Sequence, residues 1–501
     1  MALHPLLPFP LLLNEDSASN QGSSVAGDCF DDDSSSFDPE RHSPSNTGSL
    51  ADDSEDEDYS WITPADMVIL GDLRADPETP FSARDSRSSM YRQPQVSRLP
   101  KGTKPVRLVG EGAANAVFEI KVPRSSRISD HFKGSLLRVA KVPSMGQTPT
   151  YNYLLQQKFY HTAIKPILGE HAVRQELVVL HQSGIVDELN DILQNIDHKR
   201  KPKFRGTFIG QANWGFLVED MRPGDGDDCE LIEFKPKWLS QSPSAPENAI
   251  RCRQCALELR NFVQNPAAKK PCPENKPCPL ALGNSDAPRQ VNSPFRIAHQ
   301  LADVGADHHF EDALAKIMDH DAIHVLRTQQ RLLDEQGPLN ASQSDPYFSL
   351  AMTLRDCTCF ALIPADSDAP IKIRLGDFDW KNPKVKIGHW TGTEESLIEG
   401  GFYTADWILC DGTYYHPPTL CALEWTPDKR NGDPEILLIE DKNSADVEEV
   451  ENLVLQLESK TRVYTHRTDL KALQKALGRF KKEPEGTSPD AVCNPLRGSP
   501  P

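Results

Sequence analysis

The chain has 501 residues, 26% of them charged, with 73 acidic side chains against 55 basic ones and a formal net charge of −18. Taken whole, that excess argues against a polyanionic ligand. It is unevenly spread, however: residues 1–100 hold 19 Asp/Glu and 6 Arg, which leaves 54 acidic and 49 basic residues in a nearly neutral 101–501. Local basic clusters therefore remain possible there. No run of about 18 apolar residues is present to span a bilayer. The Leu6–Leu13 stretch is short, broken by Pro8 and Pro10, and lacks the basic flank of a secretory leader. Eleven cysteines without a dense, regular framework read as mostly reduced thiols of an intracellular protein.

Residues 1–60 are rich in Ser, Asp and Glu and too poor in apolar side chains to offset their ordering entropy, so disorder is expected over 1–100. The apolar patch Trp61–Leu73 interrupts it, as a transient cluster or a docking segment. From residue 106 the texture changes. Arg107–Val109, Ala116–Val122 and Leu136–Val142 read as three strands separated by glycines and polar turns. Helices are expected at Tyr151–Ile164 and Gly169–His181, the latter from the spacing of Ala172, Val173, Leu177 and Leu180. Strands follow at Phe204–Ile209, Gly215–Val218 and Leu231–Phe234. Helical patterns return at Ala249–Gln264, His309–Thr328 and Tyr347–Asp356, with a strand at Ile371–Leu375 and charged helices at Val447–Leu457 and Leu470–Phe480.

Four features carry chemistry. Gly110-Glu111-Gly112-Ala113-Ala114-Asn115 lies between two strands, where small residues let backbone N–H groups approach an anion. Strand–turn–strand order suits a kinase-type lid rather than a dinucleotide or Walker loop. Arg138 and Lys141 on the next strand stand where such a lobe grips nucleotide phosphates, and Val218-Glu219-Asp220-Met221 would suit an interlobe hinge. Glu233-Phe234-Lys235-Pro236-Lys237-Trp238 runs an apolar strand into two lysines held apart by a proline, and period two would put both on one face. Lastly, Lys372, Arg374, Lys381, Lys384 and Lys386 surround Asp377 within 15 residues.

Together these blocks resemble the inositol-pentakisphosphate 2-kinase family in its fungal form. Glu-Phe-Lys-Pro-Lys-Trp is similar to its E-x-K-P-K signature, and the glycine loop to its G-E-G-x-x-N. Leu-Leu-Arg-Val-Ala-Lys resembles its nucleotide-gripping strand. Arg251–Ala256, Cys278–Leu280, Leu354–Thr358 and Asp377–Lys381 resemble further family blocks, all between about 107 and 390. The resemblance implies transfer of the ATP γ-phosphoryl group to the 2-hydroxyl of inositol 1,3,4,5,6-pentakisphosphate, giving the hexakisphosphate (phytate), with Mg2+. It makes Asp356 the catalytic aspartate and a magnesium ligand, Asp377 the main magnesium ligand, and Lys235 a neighbour of the transferring phosphoryl. Gly110, Gly112, Asn115, Arg138, Glu219 and Met221 become nucleotide contacts. Lys237, Arg253, Arg260, Arg296, Lys381, Lys384, Lys386 and Trp390 become substrate contacts.

The expected fold is α+β with two lobes and nucleotide in the cleft: a disordered acidic region (1–100), an N-terminal lobe (101–225), a C-terminal lobe (226–435) and a charged helical and disordered tail (436–501). A monomer is expected, acting on a small molecule, in the nucleus by family resemblance or in the cytoplasm, with no membrane or nucleic-acid partner. Cys252, Cys255, Cys272 and Cys278 have spacing compatible with structural zinc. The His/Cys zinc site of plant members lies later in the chain, where residues 309–347 contain no cysteine. Two alternatives compete. One is a non-catalytic inositol polyphosphate binder, against which stand both retained aspartates. The other is an atypical protein kinase, against which stands the lack of an H-R-D-x-x-x-x-N loop and of a D-F-G glycine.

Overall fold

The alternating apolar strands after residue 103 build an antiparallel sheet. The computed structural model describes residues 62–74, 96–123, 129–224, 226–265, 273, 278–283, 307–366, 368–415, 417–419, 421–425, 435–440, 462–467 and 470–477. Within it β1 (Lys104–Glu111), β2 (Asn115–Lys121), β3 (Ser135–Val142), β4 (Gln175–Val179), β5 (Phe208–Ile209) and β6 (Trp214–Glu219) pair in the order β1-β2-β3-β6-β4, with β5 on β3. One face, with Phe118, Leu137, Val139 and Leu217, packs on Ile185, Leu189 and Leu193 of a helix at Ile185–Ile196. The other face, with Ala140 and Phe216, packs on Tyr153 and Leu154 of the helix Tyr153–Phe159. The patch at 61–73 proves to be a helix, Pro64–Arg74, whose Leu70 is buried against this second face. In chain order these helices are α1 (Pro64–Arg74), α2 (Tyr153–Phe159), the short α3 (Lys165–Leu168) and α4 (Ile185–Ile196).

The next sheet has three antiparallel strands, β7 (Cys229–Phe234), β8 (Thr358–Pro364) and β9 (Lys372–Gly376), in that order. The helices of this stretch of chain are α5 (Arg253–Gln264), α6 (Asp307–Met318), α7 (Asp321–Leu332), α8 (Pro346–Leu354) and α9 (Pro383–Glu399). A further sheet, β10 (Trp407–Cys410), β11 (Thr413–Tyr415), β12 (Glu435–Glu440) and β13 (Arg462–Arg467), has the order β11-β10-β12-β13. Its β10/β12 and β12/β13 pairs are parallel. Helix α10 (Leu470–Leu477) buries Leu473 and Leu477 beside Phe402, Tyr403 and Leu437. The class is α+β, and no helix among the described residues is long and apolar enough to cross a membrane.

Three local expectations fail for physical reasons. Gly169–His181 is not a helix: after a single 3-10 turn it becomes β4. Val178 and Val179 are β-branched and buried on opposite faces, Val178 toward α4 and Val179 toward Tyr153, so pairing with β6 overrides the helical spacing. His309–Thr328 is two helices, because the His320 side chain accepts from the Ala322 backbone N–H at 3.1 Å and caps α7. Beyond residue 435, where a charged helical and disordered tail was expected, the chain adds the strands β12 and β13 and places Leu437 and Ile439 of β12 in the core, while the helix expected at Leu470–Phe480 is present as α10. The helix expected at Val447–Leu457 lies outside the described residues, as does most of the region 1–100 expected to be disordered; of that region residues 62–74 and 96–100 are described, and Leu99 is buried in the core of the first sheet.

Candidate functional site

The strand register of the second sheet decides where its chemistry sits. Phe234 ends β7 opposite Cys359, and Thr358 opens β8 opposite Gly376, the last residue of β9. Residues just after β7, just before β8 and just after β9 therefore emerge at one end of the sheet. Those residues are Lys235, Asp356 and Asp377.

Three lysines converge on Asp356. Lys237 Nζ lies 3.0 Å from Oδ1 and Lys381 Nζ 2.8 Å from Oδ2. Lys235 Nζ donates to the Asp356 carbonyl at 2.6 Å, lies 3.5 Å from Oδ1, and reaches Asp377 Oδ2 at 3.3 Å. Partial burial raises the Asp356 pKa, but Lys237, Lys381 and Lys235 outweigh it and hold the carboxyl well below its usual range. Burial lowers the Lys235 pKa, and the Asp356 and Asp377 charges more than offset this, so it is raised overall. Both aspartates stay open to solvent, with side chains 43% and 44% exposed.

Asp377 leads to the first sheet. Arg138, in the middle of β3, places Nη2 3.3 Å from Asp377 Oδ1 and 2.8 Å from each Asp379 oxygen. Asp379 also accepts from Asn115 Nδ2 at 3.1 Å and from the Tyr151 hydroxyl at 2.7 Å. Burial alone would lower the Arg138 pKa, but the acidic groups around it raise it overall. Asn115 Oδ1 is buried with no hydrogen-bond partner among the described residues.

The lysine segment is held by buried polar contacts. Trp238 lies between two guanidinium groups, Arg355 at 3.6 Å and Arg253 at 4.3 Å from its ring centre. Arg355, next to Asp356, pairs with Asp334 inside the core, and Arg253 Nε meets Glu394 at 2.7 Å. Buried Gln330 donates to the Lys237 carbonyl at 2.9 Å and to the Leu354 carbonyl at 3.3 Å, and accepts from the Leu239 N–H at 2.9 Å. It thus ties the lysine segment to the end of α8, two residues from Asp356. Lys237 (φ 57°) and Asp377 (φ 63°) occupy the left-handed region, a conformation costing a non-glycine residue about 1–2 kcal/mol. Lys237 pairs with Asp356, and Asp377 is joined to the same carboxylate through Lys235; backbone strain of this kind clusters at functional sites. The two lysines therefore meet through a turn at Lys237, not through strand alternation.

The remaining expected residues divide. Gly110 and Gly112 are exposed at the β1–β2 turn, where the Gly112 N–H donates to Asn115 O at 2.8 Å. Glu111 between them is anchored by Arg200 at 2.7 Å, and Lys141 is buried over Phe204 and 3.4 Å from Glu111. Glu219 accepts from Lys372 at 2.9 Å, and Met221 is buried. Lys372 and Arg374 thus face Glu219, and the basic cluster around Asp377 is split. Lys384 and Lys386 are exposed in the first turn of α9, after the N-cap Asn382. Arg253 is buried against Glu394, Arg260 donates to Ser396 at 2.9 Å, and Trp390 is buried edge-on against Phe348. Arg296 and Cys272 lie outside the described residues. Cys252, Cys255 and Cys278 do come together, and their fourth companion is Cys421. Asp379, Gln330, Asp334, Glu394 and Cys421 were not singled out from sequence. For Asp379 alone a signal existed, the acidic residue where a D-F-G glycine would stand.

Two comparisons bear on this geometry. The model of a family described as inositol-pentakisphosphate 2-kinase matches residues 109–297 and 296–396, more than half of the chain. The inositol-pentakisphosphate 2-kinase of Yarrowia lipolytica is 36% identical over 191 residues, covering 37% of this chain and 58% of that protein. The matched segment thus spans less than two thirds of that relative's length.

Proposed function

The chain belongs to the inositol-pentakisphosphate 2-kinase family, and from that premise we propose that it transfers the γ-phosphoryl group of ATP to the 2-hydroxyl of inositol 1,3,4,5,6-pentakisphosphate, giving inositol hexakisphosphate. The observation that carries the reading is the convergence of Lys235, Lys237 and Lys381 on Asp356, with Asp377 alongside. The Asp356 carboxylate holds together three cations that would otherwise repel. An acceptor crowded with phosphates satisfies the same lysines.

The β1–β6 sheet is then the nucleotide lobe, with the glycine loop and Arg138 over the phosphates and residues 218–221 as the hinge. The chain from about 226 onward is the inositol phosphate lobe, and the cleft lies between them. Asp356 orients the 2-hydroxyl and accepts its proton as the new O–P bond forms and the bond from Pγ to the bridging oxygen breaks, releasing ADP. Lys235, between Asp356 and Asp377, follows the phosphoryl group. Lys237 and Lys381 hold ring phosphates. Lys384 and Lys386 in the first turn of α9 run against the helix dipole, which suits cations meant to meet an anion there. Asp377 and Asp379 form an all-oxygen donor set that fits Mg2+, and the unpartnered Asn115 Oδ1 beside them fits a donor from the metal's hydration shell. Bound there, the metal would neutralise charge on the bridging phosphates.

Two substitutions separate the subsites. Lys237→Ala should raise the KM for inositol pentakisphosphate about tenfold or more, the scale of one lost charge-assisted contact, with the KM for ATP unmoved. A selective effect on ATP would count against the assignment. Arg138→Ala should do the converse, and steady-state ADP release against each substrate in turn reads both. The proposal itself is tested by ADP release with inositol pentakisphosphate as acceptor, compared with a protein acceptor such as casein. Turnover with casein alone would favour an atypical protein kinase instead.

A further inference from the structure

Outside the lysine–aspartate site, four cysteines from three separate stretches of chain meet in one buried place. Cys252 is the N-cap of α5, Cys255 lies in its first turn, Cys278 precedes a 3-10 turn at Pro279–Gly283, and Cys421 precedes another at Ala422–Trp425. All four sulfurs lie within 4.8 Å of one another. The Cys252–Cys278 and Cys278–Cys421 Sγ separations are 3.9 and 3.7 Å. A disulfide needs about 2 Å. Four thiolates at about 2.3 Å from a tetrahedral zinc stand about 3.8 Å apart.

The surroundings point the same way. The N–H of Cys252 donates to Cys421 Sγ at 3.2 Å, that of Cys255 to Cys252 Sγ at 3.4 Å, and that of Ala422 to Cys278 Sγ at 3.4 Å. Backbone donors aimed at sulfur stabilise thiolate, as does the N-terminus of α5. Leu280, Ala281, Ala422 and Leu423 pack against the buried cysteines. Thiols serving only as small hydrophobes gain nothing from turning all four sulfurs inward on one another.

We infer that Cys252, Cys255, Cys278 and Cys421 bind one zinc ion as four thiolates, in a closed structural site that ties the start of α5 to the segments before Pro279 and Ala422. With no open position, the site takes no part in phosphoryl transfer. Its effect on the reaction is indirect: Cys252 is followed by Arg253, whose guanidinium supports Trp238 beside Lys237.

Metal analysis of full-length protein purified without chelator is expected to give one zinc per chain. Cys421→Ser should lose most of that zinc and melt at lower temperature, whereas Cys229→Ser, outside the cluster, should keep it. If Cys421→Ser fails to accumulate, the wild-type protein still decides. Stripped of metal and given Co2+ alone, it should show the thiolate-to-cobalt charge-transfer and tetrahedral d–d bands of an S4 site. Wild-type protein without stoichiometric metal, iron in place of zinc, full zinc in Cys421→Ser, or an octahedral cobalt spectrum would each overturn it.

Discussion

Asp356→Asn is expected to lower kcat with inositol pentakisphosphate by about 10²–10⁴-fold, the usual contribution of a positioned acid–base group, without loss of the fold. Asn keeps the shape and an acceptor oxygen but cannot take the hydroxyl proton. Thermal unfolding should hardly move, because the lysine pairs around Asp356 are solvent-screened and worth little to stability. The Michaelis constant for the inositol phosphate separates catalysis from binding. Removing the one anion at the centre of three lysines should leave it unchanged or lower it. A variant with near-normal kcat, or one whose only defect is weaker substrate binding, would contradict the role given to this carboxylate.

Glu394→Ala is expected to be the most damaging single change to stability, by about 3–5 kcal/mol, the range for breaking a buried ion pair from one side. Glu394 is 0% exposed. It accepts from Arg253 Nε, Ser242 Oγ and the Tyr403 hydroxyl, each at 2.7 Å. Truncation leaves the Arg253 charge and two hydroxyls without their acceptor. Urea or thermal unfolding should show the loss, and the pair change Arg253→Met with Glu394→Leu should restore much of it. A Glu394→Ala shift below about 1 kcal/mol would mean that the cluster is hydrated and not a core element. Activity should suffer alongside stability, since Arg253 packs on Trp238, the residue after Lys237.

What could be read from sequence followed the distance over which each signal acts. The strands of 104–142 were legible because alternation and turns are local, and β3 falls at Ser135–Val142 where Leu136–Val142 was read. Lys235, Lys237 and Asp377 were legible as residue types set in distinctive runs, and Asp356 through the family resemblance. Their meeting was not, because it depends on the register of β7, β8 and β9 and on a left-handed turn at Lys237. Period two had put both lysines on one extended face; the turn brings them to Asp356 by another route. Asp379 shows the limit for charge: its carboxylate occupies Arg138, the cation expected to be waiting for nucleotide. Gln330 and Asp334 are a buried helical amide and a carboxylate just past the helix end, and the partners through which they reach the site lie more than 20 residues away. Cys421 was missed for the same reason, being 143 residues from Cys278. Nor did β12 stand out, since a short apolar run in a parallel sheet carries no alternation to distinguish it.

Net charge misleads here in an instructive way. The acid excess belongs mainly to residues 1–100, while the cations proposed to meet the substrate are few and placed near strand ends and a helix start. A phosphate-rich substrate responds to that local arrangement over a Debye length of about 10 Å, not to the total.

The central claim is that Asp356, Lys235, Lys237, Lys381 and Asp377 together pass a phosphoryl group to the one free hydroxyl of an inositol already carrying five phosphates. Chromatographic separation of inositol phosphates after incubation with Mg·ATP tests it most directly, with mass measurement of the product. The account predicts conversion of the 1,3,4,5,6-pentakisphosphate to a single hexakisphosphate by the wild-type protein, with one ADP per product and a rate about 10²–10⁴-fold lower from Asp356→Asn. Recovery of the pentakisphosphate unchanged from folded, ATP-supplied wild-type protein would contradict it.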